Sequence, residues 1–180
     1  HVREHTVIAV GRYAHQKGFD RLIRIWSEVY QQFPQWQLHI YGRGDRTYYQ
    51  QLVAHFHLQE SCFLHPFESD VQSIYKTASI FAFSSRYEGF GLTLIEAMHS
   101  GLPCVSFSCP CGPRDIITDG SDGFLVETEN QFAQRLAQLM GDESLRREMA
   151  EYARNSSFRF SQNEIMKKWV DLFQSFRQND

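Results

Sequence analysis

Two glutamates stand eight residues apart in the segment RYEGFGLTLIEA, which covers residues 86–97. Gly89 and Gly91 follow the first of them, Glu88, and let the backbone approach a ligand closely and tolerate strained dihedral angles. The second, Glu96, falls on the polar side of a helix predicted to begin after Gly91. A carboxylate at such a place needs polar partners, and ligand hydroxyl groups are suitable ones. The segment therefore indicates binding of a hydroxyl-bearing molecule, with capping or solvation of the helix by Glu96 as the purely structural alternative.

Two cations, Arg12 and Lys17, bracket a short polar loop in the stretch GRYAHQKGFD. Gly18 then opens a predicted helix that Asp20 helps to start. Cations beside a helix N-terminus form an anion site, because the free backbone N–H groups and the helix dipole favour the same charge. Ordinary surface charges are an equally open interpretation of this pair. Combined with the two carboxylates, the loop suggests a ligand with an anionic middle and a hydroxyl-bearing group at each end, such as a nucleoside diphosphate sugar.

The elements that must position these residues alternate along the chain. Six short apolar runs are predicted strands, at residues 6–11, 36–42, 61–67, 79–85, 103–109 and 123–127. Helical spacing predicts a helix at 19–33, one that follows the 42–45 loop and ends at about 58, and a short one within 113–120. A helix capped by Asp70 is predicted to end at 78, and one that begins at 92 is predicted to end at Gly101. From residue 129 onward, the pattern is helical throughout. Such repeated units imply right-handed crossovers and a parallel sheet. The prediction is a single α/β domain, a Rossmann-like doubly wound parallel sheet with a C-terminal helical tail.

Composition excludes several classes of protein. The 180 residues suit one domain, and the formal net charge of −3 argues against a general nucleic-acid binder. No apolar run reaches the length of a transmembrane helix, and the four cysteines and eight histidines do not show metal-site spacing, so reduced thiols and no metal are expected. The first residues lack an initiator Met and a secretory-signal pattern, which suggests a piece of a longer protein.

Two further loops give weaker signals. IYGRGD contains a Gly-x-Gly after a strand, but Thr47 stands where a dinucleotide-binding fingerprint has its third glycine. A tight turn is therefore the favoured interpretation, and a dinucleotide-dependent oxidoreductase is a poor alternative. Arg114, after Gly112-Pro113, could reach the same crevice as Arg12, although an exposed arginine at a helix start explains it equally well.

EGFGLTLIE resembles the E-x7-E motif of retaining GT-B glycosyltransferases, especially glycosyltransferase family four, the group 1 enzymes. The flanking segments agree in order: VGRYAHQKGFD, LHIYGRGD, FLHPF, SIFAFSSRYEGFGLTLIEAMHSGLPCVSF and PCGPRDIITDGSDGFLV. The resemblance implies the C-terminal, donor-binding half of such an enzyme. It divides the chain into a nucleotide-sugar-binding domain at 1–160 and a tail helix at 161–180, with an N-terminal acceptor domain outside this chain.

The resemblance also assigns roles to individual residues. Arg12 and Lys17 would hold the donor pyrophosphate, Glu96 the ribose hydroxyls, and Glu88 the hydroxyls of the transferred sugar. Glu88, Arg12 and Lys17 are the catalytic candidates, with Glu88 as a positioning and electrostatic residue rather than a covalent nucleophile. The remaining donor-binding candidates are Tyr75 near the base and Gly89, Phe90, Gly91, Leu92 and Thr93 near the sugar and phosphates. The family works without a metal or cofactor, with the nucleotide diphosphate sugar as co-substrate.

The wider expectations follow from the same likeness. SCPCGPRDII resembles bacterial transferases that use UDP-hexoses or UDP-N-acetylhexosamines to build lipopolysaccharide, capsule or glycan-lipid intermediates. The acceptor, a glycan or a lipid-linked glycan, would bind through the missing N-terminal domain, so this chain alone should transfer little or no sugar. The expected location is the cytoplasm or the inner face of the cell membrane, with peripheral membrane contact of the full-length enzyme left open. A nucleotide-sugar-binding module without catalysis is the alternative.

Overall fold

The computed structural model describes residues 5–177 and contains a six-stranded, fully parallel sheet. The strands are β1 (Thr6–Val10), β2 (Gln37–Tyr41), β3 (Cys62–His65), β4 (Ile80–Phe83), β5 (Cys104–Phe107) and β6 (Gly123–Val126). Their spatial order is β3-β2-β1-β4-β5-β6. The chain thus winds outward in both directions from the central pair β1 and β4, which confirms the predicted doubly wound sheet.

The helices also follow the predicted pattern closely. They are α1 (Phe19–Val29), α2 (Thr47–His55), α3 (Val71–Thr77), α4 (Leu92–His99), α5 (Pro113–Ile116), α6 (Glu129–Gly141), α7 (Glu143–Ser157) and α8 (Gln162–Arg177). Asp70 caps α3 by accepting a hydrogen bond from the Ser73 amide at 3.1 Å, as predicted. Gly101, with φ of +71°, directly follows the Ser100 cap of α4, as expected for a helix terminator.

Two predicted helix ends were too long. α1 stops at Val29, and the chain continues as a 3-10 turn at Tyr30–Gln32 instead of reaching residue 33 as an α-helix. α2 stops at His55, and His57 then takes a positive φ of 56° that an α-helix cannot accommodate. The apolar pattern continues past both helix ends because Tyr30 and Phe33 after α1, and Phe56 and Leu58 after α2, still pack on the core.

Helices cover both faces of the sheet and divide the core into two layers. Val7 and Ala9 of β1 point to the layer beneath α1, α2 and α6, where Trp26 is fully buried. Ile8 points to the other layer, beneath α3, α4 and α7, where Leu94 is fully buried. Because successive side chains of a strand alternate between faces, a strand covered on both sides is apolar throughout.

The C-terminal tail exposes several apolar side chains along a single helix. A 3-10 turn at Phe158–Phe160 precedes α8, and exposed apolar residues of α8 are Met166, Trp169, Val170, Leu172, Phe173 and Phe176. Among residues 5–177, none of the helices is both long enough and apolar enough to cross a membrane. The predicted division at residue 160/161 falls at the junction before α8 and stays a prediction.

Candidate functional site

The loops that follow β1 and β4 meet at the centre of the sheet. β1 and β4 are direct neighbours, with Val7 beside Ile80 and Ile8 beside Phe81. In an open parallel sheet, the point where the winding reverses leaves a crevice beyond the carboxyl ends of the strands. The loop carrying Arg12 and the loop carrying Glu88 therefore border the same crevice.

A cleft of about 320 Å³ opens at this position. Three of the predicted donor-binding residues line it: Arg12 from the loop after β1, and Thr93 and Glu96 from the first turns of α4. The other lining residues are Val10, Gly11, Tyr41, Gly42, Arg43, Phe67, Glu68, Val71 and Ile74. The loop with Arg12 and the N-terminal end of α4 consequently face one shared cavity, which places a cation, free helix N–H groups and a carboxylate around it.

Glu96 is exposed to this cavity, and its carboxylate accepts a hydrogen bond from Tyr75. The Tyr75 hydroxyl donates to Glu96 Oε2 at 3.3 Å. Burial raises the pKa of this hydroxyl strongly, and the Glu96 charge raises it further, so Tyr75 stays a donor. Tyr75 is itself fully buried, beneath the cleft wall. Its position supports Glu96, and its predicted contact with the base stays a prediction.

Thr93 contributes a hydroxyl to the same wall of the cavity. Its Oγ1 atom is buried and has no hydrogen-bond partner among the described residues. A buried hydroxyl without a partner loses the hydrogen bonds that it would make in water. A polar atom of a ligand in the cleft could supply that missing partner.

Lys17 and Glu88, which were predicted to bind different parts of the donor, bind each other. Lys17 Nζ lies 2.7 Å from Glu88 Oε1, and the two side chains are only 15% and 8% exposed. The Lys17 side chain runs against Gly11, where a Cβ atom would lie 3.0 Å from Lys17 Cδ, and Gly11 lines the cleft. The pair therefore adjoins the cavity, with the ammonium and the carboxylate already neutralising each other.

The glycines around Phe90 have distinct roles. Gly91 has φ of +102° and leads into α4 with Leu92, whereas Gly89 does not adopt a positive φ and a Cβ atom there would meet nothing within 4 Å. Gly91 thus adopts a backbone conformation that favours glycine and Gly89 does not, while the close approach of a ligand to these two glycines stays a prediction. Two backbone segments of the protein approach closely at Gly112, where a Cβ atom would lie 1.9 Å from the Phe90 carbonyl oxygen.

Arg114 is oriented by hydrogen-bond partners from its own part of the chain, Ser108 and Glu127. Its Nε donates to Ser108 Oγ at 2.6 Å, and its Nη2 lies 3.4 Å from Glu127 Oε1 in an exposed ion pair. This geometry agrees with the surface interpretation of Arg114. A contact with sugar or phosphates would require it to leave both partners.

Sequence reasoning missed two arginine side chains, Arg43 in the lining of the cleft and Arg86 outside that lining. The Arg43 guanidinium lies over the Phe67 ring at 4.0 Å, and both residues line the cleft. Arg86, just before the E-x7-E segment, forms an ion pair with Asp20 of α1. The available signal for Arg43 was its place in the IYGRGD loop, and for Arg86 its place directly after β4.

Comparisons with known proteins identify the family to which this chain belongs. The family profile described as "Glycosyl transferases group 1" matches residues 2–156. The amylovoran biosynthesis glycosyltransferase AmsD of Erwinia amylovora is 35% identical over 173 residues, which is 94% of this chain and 48% of that protein. The chain thus spans about half the length of this relative. Among residues 5–177, no group of three or more His, Cys, Asp or Glu could hold a metal ion.

Two solved structures of similar proteins match almost the whole chain. TarM from S. aureus, as a variant in complex with fondaparinux, alpha-GlcNAc-glycerol and UDP, superimposes with a TM-score of 0.90 at 30% identity, covering 96% of this chain and 36% of TarM. The pneumococcal O-GlcNAc transferase GtfA, in complex with UDP and GlcNAc, gives a TM-score of 0.85 at 28% identity, with the same coverage of 96% and 36%. Both contain this sheet as one part of a larger chain.

Proposed function

Because this chain belongs to the group 1 glycosyltransferase family, we propose that it is the donor-binding domain of a retaining glycosyltransferase, a member of glycosyltransferase family four. The complete enzyme would transfer a hexose or N-acetylhexosamine from a nucleotide diphosphate sugar to a glycan or lipid-linked glycan. Its place would be the biosynthesis of a surface polysaccharide such as capsule or lipopolysaccharide, on the cytoplasmic side of the membrane.

One observation carries this proposal: Arg12, Thr93 and Glu96 line a single cleft at the centre of the parallel sheet. A diphosphate in that cleft would lie between the Arg12 guanidinium and the N–H groups at the start of α4. The ribose hydroxyls would then reach the Glu96 carboxylate, which Tyr75 orients. The Thr93 hydroxyl, which has no hydrogen-bond partner within residues 5–177, would gain one from the ligand.

The chemistry proposed for this site is electrostatic. As the bond between sugar and diphosphate breaks, negative charge develops on the diphosphate, and Arg12, Lys17 and the α4 N-terminus stabilise it. Glu88 contacts the sugar hydroxyls and orients the sugar, without forming a covalent intermediate. The sugar keeps its anomeric configuration because the acceptor attacks from the face that the diphosphate leaves.

UDP is the proposed nucleotide. TarM and GtfA were solved with UDP bound, and each shares this domain with the chain. The chain covers 36% of either protein, and we propose that the acceptor site lies in the part of such an enzyme that this chain does not span. We therefore expect the 180-residue chain to bind UDP and UDP-sugar and to transfer little or no sugar on its own.

Calorimetric titration of the chain with UDP, GDP, ADP and NAD tests the proposal. We expect micromolar-to-millimolar binding of UDP, weaker binding of the other nucleotides, and loss of UDP binding in Arg12→Ala. Arg154→Ala is a matched control, because Arg154 is an exposed residue of α7 and does not line the cleft. Preferred binding of NAD, or equal effects of both substitutions, would contradict the proposed site.

An activity assay separates the enzyme from its alternative, a nucleotide-sugar-binding module without catalysis. The full-length protein should transfer sugar from UDP-glucose or UDP-N-acetylglucosamine, and Glu88→Ala in it should abolish transfer while UDP binding persists. A full-length protein that binds the donor yet transfers nothing to any glycan acceptor would favour the binding module. Full turnover by the 180-residue chain alone would contradict the proposal that the acceptor binds to a part of the enzyme outside this chain.

A further inference from the structure

Hydrogen bonds of Arg86 connect the loop that carries Arg12 to the loop that carries Glu88. The Arg86 guanidinium donates two parallel hydrogen bonds to Asp20, from Nη1 to Oδ1 at 2.7 Å and from Nη2 to Oδ2 at 2.6 Å. The same Nη1 also donates to the His15 carbonyl at 2.8 Å. The Arg86 amide donates to the Gln16 carbonyl at 2.8 Å. One residue of the β4 loop thus contacts three residues of the β1 loop and of α1.

The Arg86–Asp20 pair is stronger than an ordinary surface ion pair. The two side chains are only 25% and 14% exposed, and a two-pronged arginine–carboxylate geometry fixes orientation as well as distance. Burial by itself would raise the pKa of Asp20, but its hydrogen bonds and attraction to Arg86 prevail and lower that pKa. Asp20 is consequently charged at neutral pH and holds Arg86 in one position.

Both members of the pair adjoin the proposed donor-binding side chains. Asp20 lies three residues after Lys17, and Arg86 lies two residues before Glu88, so the pair borders the contact between Lys17 and Glu88. Gln16 links the same loops, because its Nε2 donates to the Tyr87 carbonyl at 3.0 Å while its Oε1 accepts from Arg12 Nη2 at 3.3 Å. Displacement of either loop would move Arg12 and Lys17 relative to Glu88.

We infer that Arg86 and Asp20 are a positioning pair for the donor: they hold the Arg12/Lys17 loop and the Glu88 loop in the relative placement that a diphosphate sugar requires. The inference rests on the proposed function. Neither residue lines the cleft, so both act through Lys17, Glu88 and Arg12. A small displacement of groups that bind a reacting molecule lowers affinity and rate even when the displacing residue is outside the site.

Conservative variants of the 180-residue chain test this role. Arg86→Lys keeps the charge but loses the two-pronged geometry, and Asp20→Asn keeps the shape but loses the charge. Each should weaken UDP binding about tenfold, and hydrogen exchange should become faster in the loops at 12–17 and 86–91. Arg24→Lys and Glu129→Gln are matched controls, because Arg24 also lies on α1 and contacts both oxygens of Glu129, at 3.2 and 3.1 Å, on the exposed surface.

A second measurement separates positioning from mere stabilisation of the fold. Calorimetry reports the affinity of the folded fraction, whereas thermal unfolding reports stability. In a Lys17→Met background, Arg86→Lys should weaken UDP binding clearly less than tenfold, because one of the three groups through which it acts has been removed. Unchanged UDP affinity in both Arg86→Lys and Asp20→Asn, with only a lower melting temperature, would overturn the inference. Failure of the wild-type chain to bind UDP would instead overturn the proposed function and this inference with it.

Discussion

Replacing Glu88 by glutamine should strengthen the binding of UDP, although Glu88 is proposed to contact the donor sugar. Lys17 Nζ lies 2.7 Å from Glu88 Oε1 in the structure. A diphosphate that binds Lys17 must therefore compete with a carboxylate that is already in contact. Glutamine has nearly the same shape and carries no charge, so it competes less well for the ammonium group.

The size of the effect follows from the strength of that contact. A hydrogen bond to a charged group contributes about 1.5–3 kcal/mol, and each 1.4 kcal/mol corresponds to a factor of ten in affinity. We expect Glu88→Gln to raise UDP affinity between about 10-fold and about 100-fold. The same change leaves a half-buried ammonium group with a weaker partner, so the free energy of unfolding should fall by about 1–3 kcal/mol. Binding and stability should thus change in opposite directions.

Isothermal titration with UDP and with UDP-glucose, together with urea unfolding, measures both effects. The gain in affinity should be smaller for UDP-glucose, because that ligand also loses the proposed contact between Glu88 and the sugar hydroxyls. Glu127→Gln is the matched control, since Glu127 pairs with Arg114 at 3.4 Å on the exposed surface. Weaker or unchanged binding of UDP by Glu88→Gln would refute the idea that the diphosphate must displace Glu88 from Lys17.

Three further predictions concern other parts of the site and its surroundings. Glu96→Ala should weaken UDP binding by about 1.5–3 kcal/mol in calorimetry, and it should affect a 2′,3′-dideoxy analogue less; equal losses would exclude a role in binding the ribose. Gly112→Ala should lower the free energy of unfolding by about 1–3 kcal/mol and weaken UDP binding, because its Cβ would lie 1.9 Å from the Phe90 carbonyl, whereas Gly89→Ala should do neither. Burial, and to a smaller extent the charge of the neighbouring His65, lowers the pKa of His39 to about 4. Between about pH 6.5 and pH 4, His39 is therefore protonated in the unfolded chain and neutral in the folded chain. Stability should therefore fall as the pH falls through that range, and urea titrations of His39→Gln should show a shallower fall than wild type.

The secondary structure was largely predictable because it depends on local patterns. Apolar runs such as 79–85 identified buried strands, and helical spacing with a cap at Asp70 or a glycine at Gly101 identified helix ends. Errors occurred where an apolar pattern continued beyond the helix itself. α1 ends at Val29, and Tyr30–Gln32 forms a 3-10 turn, although Tyr30 and the following Phe33 still pack on the core.

The sequence identified three residues that line the cleft, but it did not indicate how the charged residues around the cleft pair with one another. The E-x7-E segment and the Arg12/Lys17 loop identified the polar residues, and Arg12, Thr93 and Glu96 do line one cleft. Arg43 and Arg86 escaped notice because an arginine in a loop carries no local sign of its partner. Phe67 and Asp20, the partners of these two arginines, come from distant parts of the chain.

The sequence by itself determined the alternation of strands and helices and the residue types at the centre of the sheet. It could do so because propensity, apolar periodicity and capping act between residues only a few positions apart. The tertiary structure alone decided that Lys17 contacts Glu88 across 71 residues of chain, and that Arg86 binds Asp20 across 66. Those contacts depend on which strands become neighbours and on where two loops then direct their side chains, and neither is encoded within a short segment.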